Sequence, residues 1–288
     1  MMKPAFILRP MEQGDVTSAM KLSNAEGWNQ TENDWKLFLE DPGNVAMIAE
    51  SDNKVVGTTT TINYSNQVVW IGMVLVDKEY RGWGISKELL NNIFKKIEPG
   101  KSIKLDATPA GQPVYKKLGF EDEYQVARMI NLSVSNLSDQ VNDDISPGPV
   151  KPDDISKIIK LDEISFGANR KQLIQYLVRE YPGKAWLLKR DEHIDGLILG
   201  REGNKYHHIG PLMATNFEDA KILISKSLND LINKPVVVDV PAGKEEWIEW
   251  LTSIGFVVQR FFTRMYKGNN NFPGCTDKQY MVAGPEFG

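Results

Sequence analysis

The stretch "VDKEYRGWGISKELL", residues 76–90, sets Arg81 ahead of Gly82 and Gly84 and then opens a helical pattern. That arrangement suits an anion. The first backbone N–H groups of a helix lack intrahelical partners, and the helix dipole makes that end positive. Glycines let the backbone come close to a pyrophosphate, and the small side chain of Ser86 leaves it room. Two better-known phosphate loops are excluded. G-x-x-x-x-G-K-[ST] is absent, and Lys87 stands where G-x-G-x-x-G needs its third glycine. Other reactive side chains are sparse. Cys275 is the single cysteine and lies in the loop-like "NNNFPGCTD" with no base nearby in sequence. His207 and His208 alternate across a strand pattern, and no His/Cys spacing implies a metal site.

Several elements must position this loop. "FILRPMEQGDVTSAMKLSNAEGW" reads as a strand, a turn and a helix with Asp15 at its cap; "TENDWKLFLED" reads as a short helix capped by Thr31. "VAMIAES", "KVVGTTTTINY" and "QVVWIGMVLVD" are β-branched runs separated by turn residues, so they predict hairpin-linked strands. After the glycines, Ile85, Leu89, Leu90, Ile93, Phe94 and Ile97 form one helical face. "SIKLDA" is a strand, "QPVYKKLG" a short helix and "YQVARMINL" a last strand. The strand–helix–strand passage over 68–106 needs a crossover, which makes its two strands parallel. The class is α/β (α+β), a mixed sheet flanked by helices.

The second half repeats the first. "IGMVLV" at 71–76 matches "IGPLMA" at 209–214, and "KLDATPAG" at 104–111 matches "VVDVPAG" at 237–243. Phe120 precedes Arg128-Met129 at the spacing by which Phe256 precedes Arg264-Met265. Matches in one order at nearly constant spacing imply two copies of one fold. The boundaries expected are 1–135, a linker at 136–149, and 150–288. Where copy one has the glycine loop, copy two has "MATNFEDAKILISKSL". Glu218 and Asp219 at that helix start would repel a pyrophosphate.

An apolar fraction of 41% with 25% charged residues is an ordinary globular balance, with material for a real core. A net charge of -4 argues against a nucleic-acid partner. It leans slightly toward a cationic acceptor. No apolar run is long enough to cross a bilayer, so no membrane association is expected. A lone cysteine fits a reducing cytoplasm.

The loop and its flanks resemble the acyl-CoA site of the GNAT N-acetyltransferase superfamily. The family pattern [QR]-x-x-G-x-[GA] is matched by Arg81, Gly84 and Ser86, with serine in place of the usual glycine or alanine. "GMVLVDKEYRGWGI" is similar to the family's fourth strand, loop and third helix, and "LDATPAGQPVYKKLGF" to its fifth strand and following helix. The resemblance covers residues 6 to about 133 well and 148–268 weakly. It implies two tandem GNAT-like domains, the first catalytic and the second degenerate, each with a mostly antiparallel sheet and a parallel splayed pair at the CoA site. It further implies transfer of acetyl from acetyl-CoA to an amine in a ternary complex, without a metal. Val74, Leu75, Val76, Arg81, Gly82, Trp83, Gly84, Ile85, Ser86 and Tyr115 would hold the donor. A backbone N–H within Met73–Val76, at Leu75 or Val76, would bind the oxyanion, and Tyr115 would protonate the thiolate. Glu26, Asp77, Glu79 and Asp106 are open as bases, Asp106 best placed. Glu26, Trp28 and Asn29 would line the acceptor pocket, with the second copy as a possible wall. A CoA-binding sensor without turnover is the alternative expectation. Monomer and homodimer both stay open.

Overall fold

The computed structural model describes residues 5–137, 146–191 and 193–288. Most of the expected linker, residues 138–145, lies outside them. In the first half the elements are β1 (Ile7–Pro10), α1 (Val16–Ala25), α2 (Glu32–Glu40), β2 (Ala46–Ser51), β3 (Lys54–Tyr64), β4 (Val68–Val76), α3 (Ile85–Phe94), β5 (Ser102–Ala107), α4 (Gln112–Lys117) and β6 (Glu121–Asn131). The second half follows the same order: β7 (Gly148–Pro149), α5 (Ile155–Phe166), α6 (Lys171–Glu180), β8 (Trp186–Arg190), β9 (His193–Arg201), β10 (His207–Ala214), α7 (Phe217–Asn229), β11 (Val236–Pro241), α8 (Glu245–Ser253) and β12 (Val257–Lys267). A short β13 (Gln279–Met281) is added at its end.

Local chemistry accounts for these elements. Helix α3 buries Ile85, Leu89, Leu90 and Ile93, one stripe at helical spacing. Thr31 caps α2 in a reciprocal box with Asp34. Asp15 departs from the expected cap of α1: its carboxylate instead receives Arg9 at 2.7 and 2.8 Å and the Glu12 N–H at 2.8 Å. The hairpins turn at Asp52-Asn53 and Ser65-Asn66, all four residues having positive φ.

The two halves do not form separate sheets. Their strands join in one sheet of order β1-β2-β3-β4-β5-β12-β6-β11-β10-β9-β8-β7, with β13 beside β10. Each half gives its last long strand to the other. Strand β12 pairs antiparallel with β5, and β6 pairs antiparallel with β11. The register sets Arg264 opposite Asp106 and Arg128 opposite Asp239. Both pairs are bidentate: Arg264 reaches Asp106 at 2.9 Å through Nε and Nη2, and Arg128 reaches Asp239 at 2.8 Å through the same atoms. The Arg-Met repeat and the repeated aspartate of the sequence are the two sides of these pairs. The main apolar core also runs through both halves, joining Trp35, Phe38 and Trp70 to Phe166, Leu199 and Phe287.

Each half contains a parallel pair that splays. Strands β4 and β5 pair only at Val68–Trp70 with Ser102–Lys104, and β10 and β11 only at His207–His208 with Val236–Val237. In the second half β13 fills the gap: it pairs with β10, and the following Val282 N–H donates to the Asp239 carbonyl of β11 at 2.9 Å. The start of α7 is likewise occupied. Asn216 accepts the Asp219 N–H at 2.9 Å, and the buried Asp219 carboxylate receives Arg190 at 2.6 and 3.1 Å. In the first half the gap between β4 and β5 stays open.

A buried bidentate pair is costly to break from one side, because the remaining charge is stranded; about 3–5 kcal/mol is typical. We therefore expect Asp239→Leu and Arg128→Met each to lower the urea-unfolding free energy by roughly that amount. The double variant should lose less than the sum of the two. Additive losses in this cycle would mean that the pair does not couple the exchanged strands.

Candidate active site

The open gap leads into a cavity of about 500 Å³. Its floor is the far end of β4, which carries a bulge. Thr58 pairs with Leu75 and Thr60 with Gly72, so Met73 and Val74 together face Thr59. Met73 has φ 53°, and its carbonyl accepts the Thr58 hydroxyl at 2.7 Å. Beyond Trp70 no ladder pair ties β4 to β5, which leaves the β5-facing backbone of 73–76 free for a ligand.

One end of the cavity is the glycine loop. Gly82 and Gly84 both have φ 82°, which a side chain disfavours, and a Cβ on either would meet no protein atom within 4 Å. The space above them is open, and Gly84 caps α3 in the left-handed region. The backbone N–H groups of the first turn of α3 face that space without helical partners. Arg81 stands at the rim. Its Nη2 lies 2.6 Å from Glu26 and its Nε donates to the Val76 carbonyl at 3.2 Å.

Tyr115 stands on α4 at the opposite wall, its ring edge-on to Phe120 at 5.8 Å. Burial raises its pKa well above the ordinary phenol value, and its hydroxyl has no hydrogen-bond partner among the described residues. It is protonated at neutral pH and lines the cavity.

Of the residues singled out from the sequence, Glu26, Trp28, Val74, Leu75, Val76, Arg81, Gly82, Gly84, Ile85, Ser86, Asp106 and Tyr115 line this one cavity. Trp83 and Asn29 are not among the residues of its wall. Trp83 sits between the two left-handed glycines. Asn29 clamps the second half instead: its Oδ1 accepts the Lys205 and Tyr206 N–H groups at 2.9 Å, and its Nδ2 donates to the Tyr206 carbonyl at 3.0 Å.

The base candidates are occupied elsewhere. Burial pushes the Asp106 carboxyl up against the opposing Arg264 guanidinium, but both of its oxygens are held by that guanidinium. Burial works against ionisation of Asp77 too, yet Lys54 at 2.8 Å and the Glu79 N–H at 3.0 Å keep it below the usual carboxylate range. Neither Asp77 nor Glu79 lines the cavity. Glu26 lines it, but pairs with Arg81.

The rest of the wall was not read from the sequence. Arg128, Arg260, Phe262, Pro285 and Glu286 come from the exchanged strands and from the segment after β13. That segment is anchored deep between the halves: Trp70 Nε1 donates to the Pro285 carbonyl at 3.0 Å and the Tyr64 hydroxyl to the Phe287 carbonyl at 2.9 Å. It lies so close to β4 that a Cβ on Gly72 would sit 3.0 Å from the Glu286 carbonyl oxygen. Glu286 is 3% exposed and pairs through Oε1 with Arg201, which also reaches Asp34 at 3.3 Å and His208 Nδ1 at 3.1 Å. The only hint in the sequence was one acidic residue in the otherwise apolar "MVAGPEFG".

His208 accepts from Arg201 and is therefore neutral, with its Nε2 facing Asp239 at 3.3 Å. Burial, then Arg201 and Arg128, push its pKa well below the ordinary value. The unfolded chain thus binds a proton below about pH 6.5 that the folded chain refuses, so stability is full above that pH and falls below it. Between pH 7.5 and 5.5 the native protein should lose about 1.4 kcal/mol more than His208→Gln. Equal losses in urea titrations at the two pH values would contradict this.

Two sequence profiles, both described as Acetyltransferase (GNAT) domain, match residues 16–130 and 158–281. The holothin acyltransferase of a Pseudoalteromonas is 23% identical over 265 residues, 92% of this chain and 88% of that one. A solved acetyltransferase-fold protein from Pyrococcus horikoshii superposes with a TM-score of 0.82 at 21% identity, covering 100% of this chain and 98% of that chain. A tandem GNAT protein from the clavulanic acid biosynthesis pathway gives a TM-score of 0.65 at 13% identity, over 92% of this chain and 100% of that one. Among the described residues no helix is long and apolar enough to cross a membrane.

Proposed function

This chain belongs to the GNAT acetyltransferase family as a tandem acyltransferase, and on that premise we propose that its first half moves an acetyl group from acetyl-CoA directly to an amine. The observation that carries the reading is the asymmetry of the two splayed strand pairs. The gap between β4 and β5 is open and ends at a glycine loop on a helix N-terminus. The gap between β10 and β11 is filled by β13, and the start of α7 is taken by Asp219. The donor therefore has one place to go. We propose 1–135 as the catalytic domain and 150–288 as a domain that has lost its donor site.

In this reading the first-turn N–H groups of α3, with Arg81, bind the pyrophosphate. The pantetheine arm lies along the free edge of β4. A backbone N–H at Leu75 or Val76 stabilises the oxyanion, and such a donor contributes about 3–4 kcal/mol in comparable sites. A neutral amine nitrogen attacks the acyl carbon and releases one proton through a base to solvent, the C–S bond breaks, and the departing sulfur takes its proton from Tyr115. The raised phenol pKa keeps Tyr115 protonated at neutral pH and makes it a weaker acid, so the proton moves only as charge develops on the sulfur. Arg81 must exchange part of its contact with Glu26 for phosphate, so donor binding also frees a group at the acceptor end.

Two variants test the assignment. Gly84→Asp puts a carboxylate where the pyrophosphate lies; calorimetric binding of acetyl-CoA should vanish while the far-ultraviolet spectrum is kept. Tyr115→Phe should lower kcat at least about tenfold with the acetyl-CoA Kd unchanged. Wild-type binding by the first variant, or wild-type turnover by the second, refutes the corresponding role. Binding of acetyl-CoA with no thiol release across a broad amine panel would favour a sensor over an enzyme.

A further inference from the structure

The charged groups of the cavity wall can be matched one by one. Glu26 is paired with Arg81, Asp106 with Arg264, and Arg128 with Asp239. Two groups are left unspent, and both come from the second half. Glu286 uses Oε1 on Arg201, but its Oε2 is buried without a hydrogen-bond partner. Among the described residues Arg260 has no carboxylate within ion-pair distance, and its one hydrogen bond there goes from Nε to the Gln259 amide oxygen at 3.3 Å. The register sets Arg260 opposite Arg128 on β6, and both guanidinium groups approach the Phe262 ring, at 5.8 and 5.0 Å. Arg128, Arg260, Phe262 and Glu286 all line the cavity.

We propose that the acceptor is a small amino acid-like molecule, an amine carrying a carboxylate, with the carboxylate on Arg260 and the amine at Glu286. The inference rests on the acetyl-transfer reading above. A guanidinium beside a second guanidinium, with no acid of its own, is a site for a planar anion, which its fork can grip through two hydrogen bonds. Phe262 supplies an apolar floor between the charges. Oε2 is covered in the resting structure, so the carboxylate must turn toward the cavity to receive the amine; a carboxylate with one unspent oxygen then binds an ammonium and accepts its proton. The bound ammonium first gives one proton to Glu286 Oε2, which passes it to water; the neutral nitrogen then bonds to the acyl carbon and sheds its second proton to the same oxygen, while the C–S bond breaks and the sulfur leaves with the Tyr115 proton. The products are an N-acyl amino acid and the free thiol; Glu286 then returns its proton to water, and the phenol is reprotonated. This local arrangement adds an anion-binding group to the slight lean of the net charge toward a cationic small molecule.

The test uses matched pairs: a panel of α-, β- and γ-amino acids and the primary carboxamide of each. Binding is measured by calorimetry on the full-length protein saturated with CoA, and turnover by thiol release from acetyl-CoA. At least one amino acid should bind tenfold or more tightly than its carboxamide, and Arg260→Gln should abolish that preference. Glu286→Gln should lower kcat for that amino acid at least tenfold with the acetyl-CoA Kd unchanged. Equal binding of every carboxamide and its carboxylate, or no binding by any member, overturns the proposal while leaving acetyl transfer to other amines intact. Failure of acetyl-CoA itself to bind would instead overturn the function from which the proposal starts; amino-acid binding without CoA, lost in Arg260→Gln, would still support the anion site.

Discussion

The structure depends on two buried ion pairs, Asp106 with Arg264 and Arg128 with Asp239, each joining one half of the chain to the other. Apolar strands could slide past one another at modest cost. A buried guanidinium cannot, because a shift of one residue turns it to the opposite face of the sheet and strands two charges. Each pair sits directly across a ladder, so it fixes register and partner together. We read them as specifying devices more than as sources of net stability, since desolvation offsets much of the Coulomb gain. Arg264 also stacks on Trp70 at 4.7 Å and donates to Tyr124 at 2.7 Å, which ties the exchanged strand to the base of the site.

From this exchange follows the division of labour. With β6 and β12 traded, the second half is fused to the first along the whole sheet, and its strand and terminal segment reach the first half's cavity. In the second half the space beside the splayed pair is filled by the chain itself. Strand β13 lies beside β10 where that pair splays, and Asn216 Oδ1 accepts the Asp219 N–H at the start of α7. Both contacts satisfy backbone groups that a splayed pair and a helix terminus would otherwise leave unpaired. They also aim the segment after β13 at the first half, where Trp70 and Tyr64 anchor its carbonyls.

The site is accordingly composite. One side of the cavity, from the bulge at Met73 to the loop at Gly84 and Tyr115, belongs to consecutive segments of one half. Its other side mixes Glu26 and Trp28 with Arg260, Phe262 and Glu286 from the second. Coupling between the sides is visible in Arg81, a loop residue held by an acid of the opposite wall.

The sequence by itself marked the long elements of the first half, the duplication that repeats their order, and which copy has a glycine loop. These are short-range properties. Helical faces, β-branched alternation and left-handed turns depend on residues within a few positions of one another. The sequence also marked Arg128, Arg264, Asp106 and Asp239 as repeated, but it gave no sign that they pair across the repeats. Only the tertiary structure decided that β12 would enter beside β5, that β13 would fill the second gap, and that Glu286 would reach a cavity whose loop lies some two hundred residues earlier. It also withdrew Asn29 from the acceptor wall to clamp Lys205 and Tyr206. Partners so distant leave no periodic trace in the chain. Their choice rests on register, burial and the pairing of charges, and those energies exist only once the two halves are folded against each other.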